Sequence, residues 1–132
     1  MFKPYAYGDG NVTGYEYLAA SAMGEIDIGT AMVVTNGLLA KATGAVKPTY
    51  VSTGKRNVEE GDIIPVIRAK ESTRFATTFS ADAAAVNVGD KLTISADGTE
   101  VTATTGGCCE VVEIRGENKG DEVIVRFVGG DN

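Results

Sequence analysis

A hairpin-like unit that occurs twice, at 24–44 and 85–106, constrains the fold of this chain more than any other feature. The copies read GEIDIGTAMVVTNGLLAKATG and AVNVGDKLTISADGTEVTATTG. In each, alternate apolar residues precede a glycine, and alternation with period two predicts strands with one buried face. The runs turn at Asn36-Gly37 and Asp97-Gly98, where glycine tolerates the positive φ of two-residue hairpin turns. Each copy is therefore predicted to be a β-hairpin.

Other segments predict further strands around these hairpins. A shorter echo of the unit occupies 58–68, where Pro65 removes a ladder donor and so predicts an edge or bulged strand. Residues 109–128 predict a last hairpin with strands near 109–114 and 122–128, and RFATTFS predicts one strand more. The residues expected to share buried faces are Phe75, Thr77 and Phe79 in RFATTFS, and Val123, Val125 and Phe127 in the last hairpin.

These elements predict an all-β fold, a small single-domain barrel or sandwich built from repeated hairpins. The 17 glycines among 132 residues fit short strands joined by tight turns. One hairpin cannot bury its own apolar face, whereas several related hairpins can close around a shared core. We assign residues 23–132 to this β-barrel domain and residues 1–22 to an extended, aromatic-rich N-terminal arm.

The predicted arm holds five of the nine aromatic residues: Phe2, Tyr5, Tyr7, Tyr15 and Tyr17. Tyrosine and phenylalanine often anchor contacts with another protein. We therefore predict a partner interface at Phe2, Tyr5 and Tyr7, with the alternative that these rings fold back over one end of the domain. Residues 15–22 are compatible with either one helical turn or a strand.

The charge pattern argues against nucleic acid and membrane partners. The chain has 12 basic and 18 acidic residues, a formal net charge of -6, and no stretch that gathers Lys and Arg into a basic stripe. No apolar run is long enough to span a bilayer, and the start MFKPYAYGDG has no apolar signal-peptide region. We expect a protein that is made and kept in a cytoplasm.

The residue types needed for common catalytic and metal sites are missing or poorly spaced. The chain has no histidine, so the usual general base, nucleophile pairs and commonest zinc ligand are absent. Glu59, Glu60 and Asp62 form the densest acidic group but lack the spacing of a calcium loop. We predict no catalytic residue, no metal, no cofactor and no enzymatic activity.

The two cysteines, Cys108 and Cys109, are adjacent in the sequence. A disulfide between them would need a strained ring, so no disulfide framework is expected. Successive strand residues point to opposite faces, and we therefore expect one thiol to point inward and the other outward.

Six segments, taken in order, resemble the head-decoration, or capsid cement, proteins of tailed bacteriophages. They are YEYLAAS, IDIGTAMVVTNGLLAKATG, VKPTYVS, GDIIPVIRA, VGDKLTISADGTEVTATTGG and EVVEIRGENKGDEVIVRF. The resemblance spans Tyr15 to Val128 and lies in the order of the segments rather than in any single motif. No catalytic residue comes with it.

The resemblance implies a virion structural protein, made in the bacterial host, that binds the outer surface of the expanded capsid and bridges major capsid subunits. It also implies a homotrimer as one assembly. The predicted interface at Phe2, Tyr5 and Tyr7 would contact the major capsid protein, so deleting residues 1–10 should abolish head binding and leave the barrel folded. The alternatives are a tail or head-fibre component and a glycan- or surface-binding β module; a small enzyme acting on nucleotides would need a cleft with convergent carboxylates.

Overall fold

The computed structural model describes residues 1–7 and 14–129, and these residues form strands, turns and loops without a helix. In chain order the strands are β1 (Lys3–Tyr7), β2 (Tyr15–Ala19), β3 (Gly24–Ile26), β4 (Ala31–Thr35), β5 (Leu38–Lys41), β6 (Tyr50–Ser52), β7 (Arg56–Val58), β8 (Ile63–Arg68), β9 (Thr73–Thr78), β10 (Lys91–Ile94), β11 (Val101–Thr105), β12 (Cys109–Ile114) and β13 (Glu122–Phe127). The all-β prediction is confirmed.

The strands form two antiparallel sheets and a two-stranded pair. One sheet has the order β1-β9-β13-β12-β10-β11, the other the order β2-β8-β6-β4-β5, and β3 pairs with β7. Each large sheet curls enough for one bridge between strands that are not neighbours in its order. Ala20, just after β2, bridges to Leu39 of β5, and Phe79, just after β9, bridges to Val101 of β11. Neither closes into a continuous ladder, so the architecture is a sandwich of curled sheets rather than a closed barrel.

Two hydrophobic cores hold this sandwich together. The larger one lies between the sheets, because it combines Val51 and Ile67 of one sheet with Phe75, Val125 and Phe127 of the other. The smaller core lies inside the five-stranded sheet, where β3 and β7 cover it; its members include Ile26, Met32, Leu39, Val58 and Ile64. Val123, Val125 and Phe127 share one buried face, as their alternation predicts.

Both copies of the repeated unit form hairpins, β4–β5 and β10–β11, in different sheets. Asn36 and Gly37 both have positive φ, 53° and 81°, the geometry of a two-residue turn whose twist suits paired strands. The second turn is wider than predicted, since Ser95 donates to the Glu100 carbonyl (2.8 Å) and residues 96–99 form the loop. The Asp97 carboxylate organises that loop by accepting hydrogen bonds from the hydroxyls of Ser95 and Thr99.

Three Gly-Asp pairs, at 61–62, 89–90 and 120–121, each end a turn that directly precedes a strand. In the turns 59–62, 87–90 and 118–121 the terminal aspartate accepts a hydrogen bond from the backbone N–H three residues earlier, at 2.9, 2.9 and 3.0 Å. The preceding glycines have φ of 88°, 96° and 88°, which disfavours residues with a Cβ. β8, β10 and β13 begin directly after these turns. The carboxylate of Asp62 therefore has a structural role.

Pro65 lies in a central strand, and the prediction of an edge or bulged strand is wrong. β8 has β2 on one side and β6 on the other, and its pairing with β2 is regular. The proline is tolerated because the β6 ladder ends at Ser52, opposite Val66. Pro65 lies one position further, where its carbonyl accepts a hydrogen bond from the Thr53 hydroxyl (2.9 Å) and no strand N–H is needed.

The N-terminal residues are extended, as predicted, but they are built into the two sheets. β1 is the edge strand of the six-stranded sheet beside β9, and β2 is the edge strand of the five-stranded sheet beside β8. Of the two alternatives for residues 15–22, the strand is correct over Tyr15–Ala19. Residues 8–13 of the predicted arm lie outside the described residues.

Candidate partner-binding surface

Phe2 belongs to the larger core, so its assignment to a partner interface needs correction. Its side chain is 1% exposed, and its ring meets that of Phe127 edge-on with centroids 5.1 Å apart. The Phe2 N–H donates to the Gly29 carbonyl (2.9 Å), which fixes the start of the chain against the sandwich. The alternative in which the N-terminal rings fold back onto the domain is the correct one for Phe2.

Tyr5 is 49% exposed and lies in a charged cluster. Its hydroxyl accepts a hydrogen bond from Arg115 (2.7 Å), whose guanidinium also lies 5.0 Å from the ring centroid. Arg115 donates in addition to the carboxylates of Glu113 and Glu122, both at 2.7 Å, and these bonds hold its pKa above the ordinary value. Tyr5 is thus accessible but already engaged by the protein's own side chains.

Tyr7 lines a cleft at the open edge of the sandwich, where β1 and β2 lie. The cleft has a volume of about 290 Å³, and its lining includes Met1, Pro4, Tyr7, Tyr15, Ile28 and Ile67. Among residues 1–7 and 14–129, no aspartate or glutamate lines the cleft. Lys3, Ser52 and Thr53 add polar groups to the lining, and the other described lining residues are apolar or aromatic. The cleft is therefore mostly apolar and suited to an apolar side chain of a partner protein.

An exposed apolar stripe continues from this cleft along β2 and β8. Tyr15 and Tyr17 are 64% and 65% exposed, and Ile63 is 57% exposed. The register places Tyr15 opposite Ile67, Tyr17 opposite Pro65, and Ala19 opposite Ile63, so their side chains share one face. We call Met1, Tyr7, Tyr15, Tyr17, Ile28, Ile63 and Pro65 the tyrosine surface. Contiguous exposed apolar residues, tyrosines above all, are typical of protein interfaces.

The opposite face of β2 carries a neutralised ion pair. Arg68 donates to both carboxylate oxygens of Glu16, at 3.0 and 3.2 Å, and to the Tyr50 hydroxyl at 2.8 Å. The bond to Glu16 raises the pKa of Arg68 above its ordinary value, so the guanidinium stays charged. β2 therefore presents tyrosines on one face and a charge-balanced network on the other.

Sequence reasoning included Tyr15 and Tyr17 in the aromatic segment but not in the predicted interface. The available signal was the alternation in YEYLA, which places both rings on one face once the segment is treated as a strand. Ile63 and Pro65 had no such signal, because only the β2–β8 register brings them beside the tyrosines.

Both cysteines are buried, and the prediction that one points outward is wrong. Cys108 precedes β12, so strand alternation does not apply to it, and its thiol donates to the Val46 carbonyl (3.4 Å). Cys109, inside β12, pairs with Phe127 and Leu92. The two thiols are free, and burial raises the pKa of Cys109 well above its usual range.

We expect the native protein to resist thiol modification. Both cysteines have 0% exposure, so the thiol reagent DTNB should react with fewer than about 0.1 thiols per chain in the time in which it fully labels an unfolded chain. In denaturant both thiols should react. Absorbance at one reagent concentration measures the labelling rates of the native and the unfolded chain. Rapid labelling of the native chain would contradict the burial of both cysteines.

A second, more polar groove lies on the outer side of the six-stranded sheet. It has a volume of about 760 Å³, and Glu110 in it pairs with Arg126 at 2.6 Å. Among residues 1–7 and 14–129, no group of three or more His, Cys, Asp or Glu is placed to hold a metal ion. Over the same residues, no helix has the length and hydropathy to cross a membrane.

The comparisons with known proteins show a likeness of fold to a solved structure. No protein-family model matches the sequence, and no curated protein matches it. Among solved structures, the chain is similar to the N base of the head fiber gp8.5 of bacteriophage phi29, with a TM-score of 0.57 and 21% sequence identity. The match covers 86% of this chain and 93% of that chain. At this identity the likeness shows a shared fold.

Proposed function

We propose that this chain is a structural protein of a bacteriophage virion that attaches to the outer surface of the head. The observation that carries the proposal is the likeness in fold to a head fiber base over nearly the whole of both chains. The six segments that, taken in their order along the chain, resemble phage head-decoration proteins support the same assignment. The likeness in fold and the resemblance in sequence therefore favour a head-associated structural role, and we propose that this role is non-enzymatic.

The tyrosine surface is the part of the molecule best suited to bind the major capsid protein. It combines exposed aromatic rings, which anchor interfaces at a low entropic cost, with a cleft whose lining, among the described residues, has no carboxylate. A protein that binds only the assembled head stabilises that state by mass action. Many copies, each burying a modest patch across subunit joints, would add their effects.

Two roles on the head are compatible with this attachment. A capsid cement protein bridges neighbouring subunits, and the resemblance in sequence favours it. The base of a head fibre carries a distal part outward, and the structural likeness favours it. Heating stripped heads with and without saturating protein separates these roles. Cement that bridges subunits binds only the intact head and should raise the rupture temperature, whereas a fibre base held by a single subunit binds intact and ruptured heads alike and should leave it within error.

Co-sedimentation with expanded phage heads stripped of this protein tests the proposed function. We expect saturable binding of the wild-type chain at a fixed number of copies per head. Replacing both Tyr15 and Tyr17 by alanine should weaken binding at least tenfold, since aromatic anchors often contribute about 2 kcal/mol or more each. Both side chains are largely exposed, so the melting temperature should change little.

Val88→Ala is the matched control for this experiment. Val88 is 63% exposed, close to the 64% of Tyr15, but it lines the polar groove on the six-stranded sheet instead of the tyrosine surface. We expect this variant to bind heads like the wild type. Equal losses in the control and the tyrosine variants would contradict the assigned surface, and no binding of the folded wild-type chain would contradict head attachment.

A further inference from the structure

The backbone of β2 has one side that faces away from its sheet. The Ala20 N–H donates to the Asp62 carbonyl (2.8 Å) on the β8 side, and the Ser21 N–H donates to the Leu39 carbonyl (2.9 Å) on the other side. Alternate residues of an antiparallel strand direct their N–H and C=O groups to opposite neighbours. Glu16 and Leu18 therefore bond to β8, whereas Tyr15 and Tyr17 direct theirs outward.

Among the described residues, no strand pairs with this outward side of β2 over Tyr15–Ala19. β5 approaches it only at the far end, where Leu39 bridges to Ala20. The open part of the edge is thus centred on Tyr15 and Tyr17. No backbone partner for their outward N–H and C=O groups is found within residues 1–7 and 14–129, so these groups can pair with a further strand.

β2 lacks the features that protect another edge of this protein. β1, at the edge of the six-stranded sheet, contains Pro4 and a register shift between Pro4 and Ala6. A proline and a bulge both discourage pairing with another chain. β2 keeps a regular register with β8 through all of its residues and contains no proline. Its edge is therefore ready to accept a strand.

We propose that this edge binds an extended strand of the major capsid protein, which adds to the five-stranded sheet beside β2. This inference rests on the proposed function, which makes the head the partner. The added strand would pair with the backbone of Tyr15 and Tyr17, so the main chain provides affinity and the side chains provide specificity. Its alternate residues would be apolar where they meet the tyrosine surface and polar where they meet Glu16 and Arg68.

A second copy of this chain fits the same edge less well. Because β5 closes the edge near Ala20, two antiparallel β2 strands would overlap over Tyr15–Tyr17. That register places Glu16 of one copy directly opposite Glu16 of the other, and opposed like charges destabilise a strand pair. Each copy also carries a net charge of -6, which adds to the repulsion. A strand from a different protein is therefore the better partner.

Hydrogen exchange at single amides tests the strand addition on the wild-type chain. In the free protein, the amides of Tyr15 and Tyr17 should exchange quickly, while those of Glu16 and Leu18 are protected by β8. Binding to stripped, expanded heads should slow exchange at Tyr15 and Tyr17 at least tenfold. Unchanged exchange at both amides in the bound protein would overturn the strand addition.

A proline variant tests the same inference by affinity. Tyr17→Ala removes the ring and keeps the outward N–H, whereas Tyr17→Pro removes both and leaves the hydrogen bonds of Glu16 and Leu18 to β8 in place. We expect Tyr17→Pro to bind heads at least tenfold more weakly than Tyr17→Ala. Equal binding of two folded variants would overturn the strand addition, and the exchange measurement remains decisive if the proline variant does not fold.

The outcomes separate this inference from the function on which it rests. Binding of the wild-type chain to heads without protection of Tyr15 and Tyr17 leaves head attachment standing and removes the strand addition. Failure of the wild-type chain to bind heads removes both. Protection of the two amides in concentrated protein without heads would identify a second copy as the occupant and overturn the choice of a capsid strand.

Discussion

Phe2→Ala is expected to lower the free energy of unfolding by about 3–5 kcal/mol, although the residue is next to the start of the chain. The ring is fully buried in the larger core and contacts Phe127, which in turn packs on Phe75. Truncation leaves a cavity between the two sheets. Because domains of this size are stable by only about 5–15 kcal/mol, the loss should be obvious in urea denaturation as a lower midpoint.

Tyr5→Ala is the control for Phe2→Ala. Tyr5 is an aromatic residue of the adjoining strand, but it is half exposed, and we expect its truncation to cost less than about 1 kcal/mol. An unchanged midpoint for Phe2→Ala together with lost head binding would contradict the core position and restore Phe2 as a contact residue. Deleting residues 1–10 should likewise destabilise the domain, because it removes β1 and Phe2 together.

The sequence was sufficient for those parts of the fold that depend on neighbours along the chain. Alternation of apolar residues placed the strands of both repeated units and of the last hairpin, and Asn36-Gly37 fixed the turn between β4 and β5. The Asp97 turn was predicted too short, since its width depends on hydrogen bonds from Ser95 and Thr99 to the carboxylate. Side-chain bonds of this kind leave no periodic pattern.

Features that depend on the pairing of strands far apart in the sequence could not be predicted. Pro65 is tolerated only because the β6–β8 ladder ends at Val66, one residue before the proline would have to donate a hydrogen bond. The sequence of β8 alone does not reveal where its partner strand ends. The same limit applies to the candidate surface. The aromatic cluster was visible, but only the pairing of β1 with β9 and of β2 with β8 separates buried Phe2 from exposed Tyr15 and Tyr17.

Gly29→Ala is expected to lower the free energy of unfolding by about 2–5 kcal/mol, a larger loss than Gly89→Ala should cause. The two glycines occupy equivalent places in the repeated unit, and both have positive φ, 78° and 96°. An alanine in this conformation costs about 1–2 kcal/mol at either site. At Gly29, a Cβ would also lie 2.7 Å from the Phe2 carbonyl oxygen and 2.8 Å from its nitrogen, whereas at Gly89 nothing lies within 4 Å.

In one copy of the repeat, Gly89 is needed for the positive φ of the turn. In the other copy, Gly29 is needed for the turn and also for the close packing of the N-terminal residues against it. Since the Phe2 N–H bonds to the Gly29 carbonyl, a Cβ at Gly29 should lift Phe2 out of the core. Phe2→Ala should then cost less in the Gly29→Ala background than in the wild type, while the costs of Phe2→Ala and Gly89→Ala should add. Denaturation of the wild type, the three single variants and the two double variants measures both couplings, and additive costs for Gly29→Ala and Phe2→Ala would contradict the shared role.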